Sequence, residues 1–573
     1  MKTTPSITLL GVFLLLGGAG CGDSGAGQSD AGQDAGVQDA GGDAASDADG
    51  AAPDCTEHTQ EELLVPLSDG QSLSAFARRP VNPECLLPTI LVQTPYNKEN
   101  ARAMWFGATA PGPLFESLDY AFVVVDWRGF FGSAGAVVAQ PDYGADGYDV
   151  VEWIAEQAWS DGQVGTWGVS ALGRVQYWTA VRRPPHLRAS VPIFNPMNTL
   201  YEEYYPGGVL RREFVDTLGL LYGQSVVEQH PLRDAVWIWL EGLYRPSDIN
   251  VPMLVVAGWY DLDNARSFRA WDSLVTASDP TVRDRHRMLV GAWHHFAAGG
   301  ETTGAGRPLT TQELLYHDGE FRIQTDSLAW FDHHLRGADP TVSTWAPIRY
   351  VRDGESAWEE AGAWPPTDTQ DLTLHLHADG SLDETPAVAG ELSYPFDPAD
   401  PSPTIGGQTL DFTLLHGPTD QADVLLRNDV LAFTTAPLTA ALRVRGPITV
   451  RLAAATTGAD TDFVVRLTDV DAAGGHLLLT DGVRRLSLRD TLSTASPVTP
   501  GSRYELDVPF TNQLAYTFAA GHRVGLIVSS SSHPRFERNP GNGDSFYTDP
   551  STAVAVTNTV YLDGVSRLVL PAD

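Results

Sequence analysis

A serine framed by glycines, Gly168-Val169-Ser170-Ala171-Leu172-Gly173, stands between an extended apolar run at 164–169 and a helix-like segment at 174–181. A hydroxyl on so tight a strand-to-helix turn stands clear of the backbone, as at a nucleophile elbow. Small residues are needed there because the backbone is strained. The second glycine comes one residue late: Leu172 takes its place and Gly173 follows. Gly-x-Ser recurs by chance, so the reading depends on partners. A serine hydroxyl is a poor nucleophile at neutral pH and needs a base to take its proton. The base in turn needs a carboxylate to fix its tautomer and stabilise the imidazolium. Both lie further along the chain. The apolar run 252–258 leads into Trp259-Tyr260-Asp261, and the run 287–291 leads into Ala292-Trp293-His294-His295. The spacing does not choose between the two histidines.

The elements that must position these groups are buried parallel strands. Runs at 89–93, 121–126, 164–169, 188–194, 252–258 and 287–291 are almost wholly apolar, as strands covered on both faces are. They alternate with helix-like segments such as 149–157, which argues for a parallel sheet. Catalytic groups of open α/β sheets sit at the carboxyl ends of strands, and the order serine, acid, histidine is that of an α/β-hydrolase. The expected core spans 55–195 and 251–340. Residues 196–250 interrupt the alternation and carry Tyr201, Tyr204, Tyr205, Tyr222, Trp237, Trp239 and Tyr244. A helical insertion at that point would cover the serine as a cap. Most of its aromatics are expected to form the cap's own core, the remainder an acyl pocket. From 341 to 573 short alternating strands with Gly, Asp and Pro turns replace the helices, and this reads as a β-sandwich.

With those residues in view, the chain from about residue 61 onward resembles the CocE/NonD hydrolases, the family of X-Pro dipeptidyl-peptidases, cocaine esterase and α-amino-acid ester hydrolases. The matching motifs are Thr94-Pro95-Tyr96-Asn97-Lys98, Asp126-Trp127-Arg128-Gly129, the elbow at 168–173, Ala257-Gly258-Trp259-Tyr260-Asp261 and Gly291-Ala292-Trp293-His294-His295. Later come Arg427-Asn428-Asp429, Asp460-Thr461-Asp462-Phe463 and Gly521-His522-Arg523. The resemblance implies a jelly roll for 341–573 and makes the missing elbow glycine normal. It assigns the catalytic histidine to His295 and an oxyanion-hole hydroxyl to Tyr96. The second oxyanion donor would be the N–H of Ala171, next after the nucleophile. Some relatives hold a substrate α-ammonium with acidic residues. Glu203 and Asp263 fall on matching positions, although Asn264 stands where a third acid is found. Two acids would suffice as a counter-charge.

The ends and the composition bound the setting. Residues 1–21 carry one lysine, Lys2, and an apolar core too short to span a membrane, and they read as a signal segment. The run 16–21 ends on Cys21 in the manner of a bacterial lipobox, which implies a lipid anchor on Cys21 and a periplasmic or cell-surface site. Residues 22–54 hold eight aspartates, no basic residue and no aromatic, and read as a disordered tether. No EF-hand spacing is present there. The two remaining cysteines, Cys55 and Cys85, are expected to pair in an oxidising compartment. No zinc-like Cys or His spacing occurs, and neither a metal nor a cofactor is expected. A net charge of −35 leaves no basic surface for nucleic acid.

These residues point to a serine hydrolase that acylates Ser170, releases an alcohol or amine from a small ester or short peptide, and hydrolyses the acyl-enzyme. The competing reading is a catalytically silent, tethered binding protein on a hydrolase fold. Ester and Xaa-Pro amide substrates stay open at this stage, as does the oligomeric state.

Overall fold

The computed structural model describes residues 53–107, 112–222, 224–296, 322–355 and 357–573, without the side chains of 219–226. Cys21, the segment 1–21 and the tether up to residue 52 therefore lie outside the described residues, as does the side chain of Tyr222.

The first sheet is built from β1 (His58–Pro66), β2 (Ser72–Pro80), β3 (Leu87–Thr94), β4 (Ala121–Asp126), β5 (Ser160–Val169), β6 (Leu187–Ile193), β7 (Leu254–Gly258), β8 (Arg287–Gly291), β9 (Ile348–Arg352) and β10 (Ala357–Ala361). Their spatial order is β1-β2-β4-β3-β5-β6-β7-β8-β9-β10. From β4 through β9 neighbours run parallel; β1, β2 and β10 join antiparallel at the edges. The apolar runs work by alternation. Ala121, Val123 and Val125 of β4 face one core with Val255 and Ala257 of β7. Phe122 and Val124 face the other, with Leu254 and Val256. Helices Tyr143–Ala155, Ala171–Ala180 and Asn264–Ala277 cover the first face, and Lys98–Phe106 and Arg322–Phe331 the second. This is the α/β-hydrolase arrangement. The sheet continues past residue 340, where the sequence ends it: Ile348 and Tyr350 are buried and β9 hydrogen-bonds in parallel to β8.

Between β6 and β7 the chain forms helices Tyr201–Tyr204, Arg212–Tyr222, Gln224–Gln229 and Ala235–Glu241. Tyr201 stacks on Tyr205 at 5.2 Å and both meet Trp237 edge-on, with Tyr204 tilted against it. These rings form the core of the insertion. Trp239 is exposed, and Tyr244 stacks on Trp178. At the other end of the sheet, Cys55 and Cys85 form a disulfide across the β1–β2 hairpin, Cα to Cα 5.7 Å.

From Gln370 onward the chain is a β-sandwich of two antiparallel sheets with one shared apolar core. It is tied to the first sheet where β9 ends. The N–H of Asp353 donates to the carbonyl of Ala515, and that of Thr517 donates to the carbonyl of Asp353. The Asp353 side chain is buried and takes a hydrogen bond from the Tyr260 hydroxyl. Burial, with Asp469 nearby, pushes its carboxyl up to about 7 despite that bond.

A carboxyl whose pKa is raised on folding binds its proton more tightly in the native state. Its contribution is fully present below about pH 4 and is lost as pH rises toward 7, by at most about 4 kcal/mol. Asp353→Asn keeps the shape and cannot ionise. Thermal melts should show the variant gaining on the wild type between pH 5 and pH 8; a difference that does not change with pH would show that no proton is held there.

Candidate active site

Ser170 occupies the turn between β5 and the helix Ala171–Ala180, at φ 61° and ψ −124°. A non-glycine residue holds such a backbone only where its surroundings impose it. Here the Ser170 N–H donates to the Ile193 carbonyl of β6 at 2.9 Å, and the Ser170 carbonyl accepts from Gly173 and Arg174. The displaced glycine is explained by packing. A Cβ at Gly173 would lie 2.7 Å from the Ile193 carbonyl oxygen, and one at Gly168 would lie 2.4 Å from the Leu172 Cβ. The elbow therefore needs glycine at 168 and 173 and tolerates Leu172. As the first residue of its helix, Ala171 has an N–H with no acceptor inside the helix, directed to the same end as the serine.

Tyr96 follows β3 in a turn that places Asn97 at φ 77° as the cap of the helix Lys98–Phe106. Its own N–H donates to Thr94 Oγ1. Its ring packs with Trp127, Ala171 and Val175, and its hydroxyl shares a hydrogen bond with the Ser170 side chain. Burial raises the phenol above its ordinary range; the bond to Ser170 and the Arg174 guanidinium work in the opposite direction. Lys98, which sequence position alone brings near the site, pairs with Glu62 and Glu99 and serves the fold.

Asp261 closes the turn after β7 and is 0 % exposed. Its Oδ1 accepts from the Asp263 N–H at 2.7 Å, and its Oδ2 lies 2.7 Å from His295 Nδ1. That contact belongs to His295 and leaves Nε2 as the ring's other nitrogen. His294 instead stacks on His416 of the C-terminal domain at 5.5 Å. Burial works against the His295 imidazolium, but the carboxylates of Asp261 and Asp263 outweigh burial and Arg211, so its pKa is raised above 6.5.

The two acids expected to hold an ammonium are met by cations of the chain. Glu203 and Asp263 are indeed buried beside the site, but each already has a cation. Glu203 Oε1 is 2.7 Å from Arg174 Nη2, and Asp263 Oδ1 is 2.6 Å from Arg266 Nε. Arg174 stands one helical turn after Ser170 and also donates to Asn195 and Thr199. Burial would push Asp263 up, yet Arg266 and Arg174 together hold it below the usual carboxylate range. Each of these two carboxylates is thus met by a guanidinium of the chain. No group of three or more metal-ligating side chains occurs among the described residues.

A backbone elbow, a hydroxyl partner and a buried Asp–His pair are the parts of a serine nucleophile system. Comparison with known proteins agrees. Residues 69–237 match the X-Pro dipeptidyl-peptidase (S15 family) model, and 342–568 match the X-Pro dipeptidyl-peptidase C-terminal non-catalytic domain. Cocaine esterase of Rhodococcus sp. (strain MB1 Bresler) is 30% identical over 547 residues, covering 84% of this chain and 92% of the esterase. The chain belongs to the CocE/NonD-type X-Pro dipeptidyl-peptidase family. It is a serine hydrolase. Among solved structures of the same fold, an aminopeptidase from a marine sediment Thaumarchaeota archaeon matches with a TM-score of 0.76 at 22% identity, covering 91% of this chain and 98% of its own. A selenomethionine-labelled α-amino acid ester hydrolase matches with a TM-score of 0.75 at 23% identity, with the same coverage.

Two contributors escape a reading of motifs. Arg174 lies within reach of one, since position i+4 on the nucleophile helix shares the serine's side. Phe296 packs against both His295 and Phe412 of the C-terminal domain, a contact that no local pattern announces.

Because His295 must be neutral to accept a proton, turnover should rise with pH through a pKa above 6.5. The acid limb of kcat/KM for an uncharged ester should show this. A limb at or below 6.5 would mean that the two carboxylates do not support the imidazolium.

Proposed function

We propose that the protein is a carboxylesterase-type member of its family that acts on acyl groups without a free α-ammonium. Ser170 is the nucleophile. His295 takes its proton through Nε2 as Oγ attacks the acyl carbonyl, and Asp261 holds the ring and stabilises the imidazolium. The oxyanion accepts from the Tyr96 hydroxyl and the Ala171 N–H. The leaving alcohol takes the proton from His295. Water then attacks the acyl-enzyme, giving its proton to His295, which passes it to Ser170 Oγ as the acid is released. The observation that carries the substrate reading is the neutralisation of Glu203 by Arg174 and of Asp263 by Arg266. A substrate ammonium would have to compete with two guanidiniums already hydrogen-bonded in place. A catalytically silent binding module is disfavoured, since such a protein has no use for a buried Asp–His pair behind a strained serine.

One assay tests both parts. On simple p-nitrophenyl esters, Ser170→Ala, His295→Ala and Asp261→Asn should each lose about 10⁴-fold or more in kcat, His294→Ala should keep most activity, and Tyr96→Phe should lose about 10²–10³-fold with KM little changed. Simple and N-acylated esters should outperform α-amino esters and Xaa-Pro p-nitroanilides. Arg174→Met should shift that ratio toward the α-amino esters. Faster turnover of α-amino esters by the wild type would reverse the substrate reading and leave the triad intact.

Lipidation on Cys21 is the further part of the proposal, supported by the lipobox-like run and the acidic tether behind it. Intact-mass analysis of the native protein should find acyl chains on Cys21, and Cys21→Ser should abolish them; an unmodified native Cys21 would refute the anchor.

A further inference from the structure

The turn that joins strands Tyr504–Pro509 and Leu514–Phe518 of the sandwich lies against the loop that carries Asp261. Asn512, at its tip, is 1 % exposed. Its amide nitrogen lies 2.8 Å from the carbonyl oxygen of Trp259 and 2.8 Å from that of Asp261. Carbonyls only accept, so the group facing them is the two-donor NH₂, one N–H for each. The next residue extends the contact: the Gln513 N–H donates to Asn264 Oδ1 at 2.9 Å, and Asn264 Nδ2 donates to the Gly258 carbonyl at 2.8 Å. Gly258, Trp259 and Asp261 are thus all held by side-chain amides, one of them from a domain that begins a hundred residues later.

The turn is itself braced. The Thr511 N–H and hydroxyl both donate to the Asp481 carbonyl, at 2.8 and 3.0 Å. Arg535 donates to the Thr511 hydroxyl at 3.0 Å and pairs with the buried Asp481 carboxylate at 2.6 Å. Gln513 Oε1 accepts from Trp364 Nε1 at 2.6 Å. Asn512 is therefore a fixed point supplied by the sandwich.

We infer that Asn512 is a positioning residue for the triad acid, and that the sandwich is in this way part of the hydrolytic site. The Asp261 backbone sets where its carboxylate lies, and that carboxylate orients the ring of His295. On its other side the loop is held by the Trp259 and Tyr260 N–H groups, which donate to the Gly291 and Trp293 carbonyls; Asn512 adds the donor that the buried Trp259 carbonyl needs and a second donor for the Asp261 carbonyl, which also accepts from the Asn264 N–H at 3.2 Å. Misplacement of a catalytic group by about 1 Å can cost about 10²-fold in rate. The inference rests on Asp261 being the triad acid.

The test compares Asn512→Ala and Asn512→Ser with the wild type and with two controls, Gln513→Ala and Asp261→Asn, on a simple p-nitrophenyl ester. Asn512→Ala should lower kcat by about 10- to 100-fold with KM within about twofold. Asn512→Ser keeps one donor and should recover part of the loss. The acid limb of kcat/KM should move to lower pH in Asn512→Ala, because a displaced Asp261 supports the His295 imidazolium less. Gln513→Ala alters the same turn without touching the loop carbonyls through its side chain and should keep kcat and the limb. Wild-type kcat and an unmoved limb in Asn512→Ala would overturn the inference. So would a set of Asn512 variants that lose folding with kcat per folded molecule unchanged, or that cannot fold at all, since either assigns the contact to stability. An active Asp261→Asn would instead fail the triad reading, whatever Asn512 does.

Discussion

A carboxylate removed from water must be met by donors or cations, because an isolated buried charge is far too costly. Asp261 is the point where this constraint governs the molecule. It has no exposed surface, and its two oxygens are met by the Asp263 N–H and by His295. Both donors belong to residues that follow a central strand, the Asp263 N–H after β7 and the His295 ring after β8, so the register of β7 against β8 sets the distance between Asp261 and His295. The strands in turn are held by cores on both faces, and this is why nearly every residue of 254–258 and 288–291 is apolar. The chemistry can be precise because the two loops that bear it have little freedom where they leave the sheet.

The same constraint recurs around the site and is met each time by arginine. Arg174 with Glu203, Arg266 with Asp263, Arg211 with Glu213 and Arg535 with Asp481 are all buried pairs. A planar guanidinium offers five donors in a fixed fork and can reach a carboxylate and further acceptors together. Arg174 does so, binding Glu203, Asn195 and Thr199 at once. Such pairs contribute little net stability, but removing one partner leaves a charge stranded, at about 3–5 kcal/mol. Their effect here is on shape and charge together: each carboxylate is fixed in place by a guanidinium of the chain.

Much of this was legible in the sequence. The strand-end positions of Ser170, Asp261 and His295 followed from apolar runs whose length and flanks allow few other readings, and the second half's turn-rich alternation announced a sandwich. The hydrolase sheet nevertheless takes in β9 and β10 beyond residue 340, which are short and half polar like the sandwich strands that follow. Glu203 and Asp263 stand out in the sequence without their partners, Arg174 and Arg266. A sequence shows a carboxylate, whereas its net effect depends on which guanidinium the fold brings to it. Asn512 carries no local signal at all, being an asparagine in a turn 251 residues from the loop it meets.

That last distance bears on how the two halves of the chain are related. The sandwich does not rest on the hydrolase fold through a generic apolar face alone. It reaches the acid loop with Asn512, the base loop with His416 and Phe412 against His294 and Phe296, and the end of β9 with Ala515 and Thr517. It also reaches the helical insertion, where Leu410 and Phe546 pack with Tyr204 and Trp237. A domain that only shielded the site could pack anywhere on the rim. One that touches the Asp261 loop, the neighbours of His295 and the helical insertion together constrains their mutual geometry, and its internal ties, such as Arg535 to Asp481 and Thr511, brace the turn that does so. The placement of Asp261 is consequently tied to the interface, and substitutions deep in the sandwich are a route to altered catalysis as well as to altered stability.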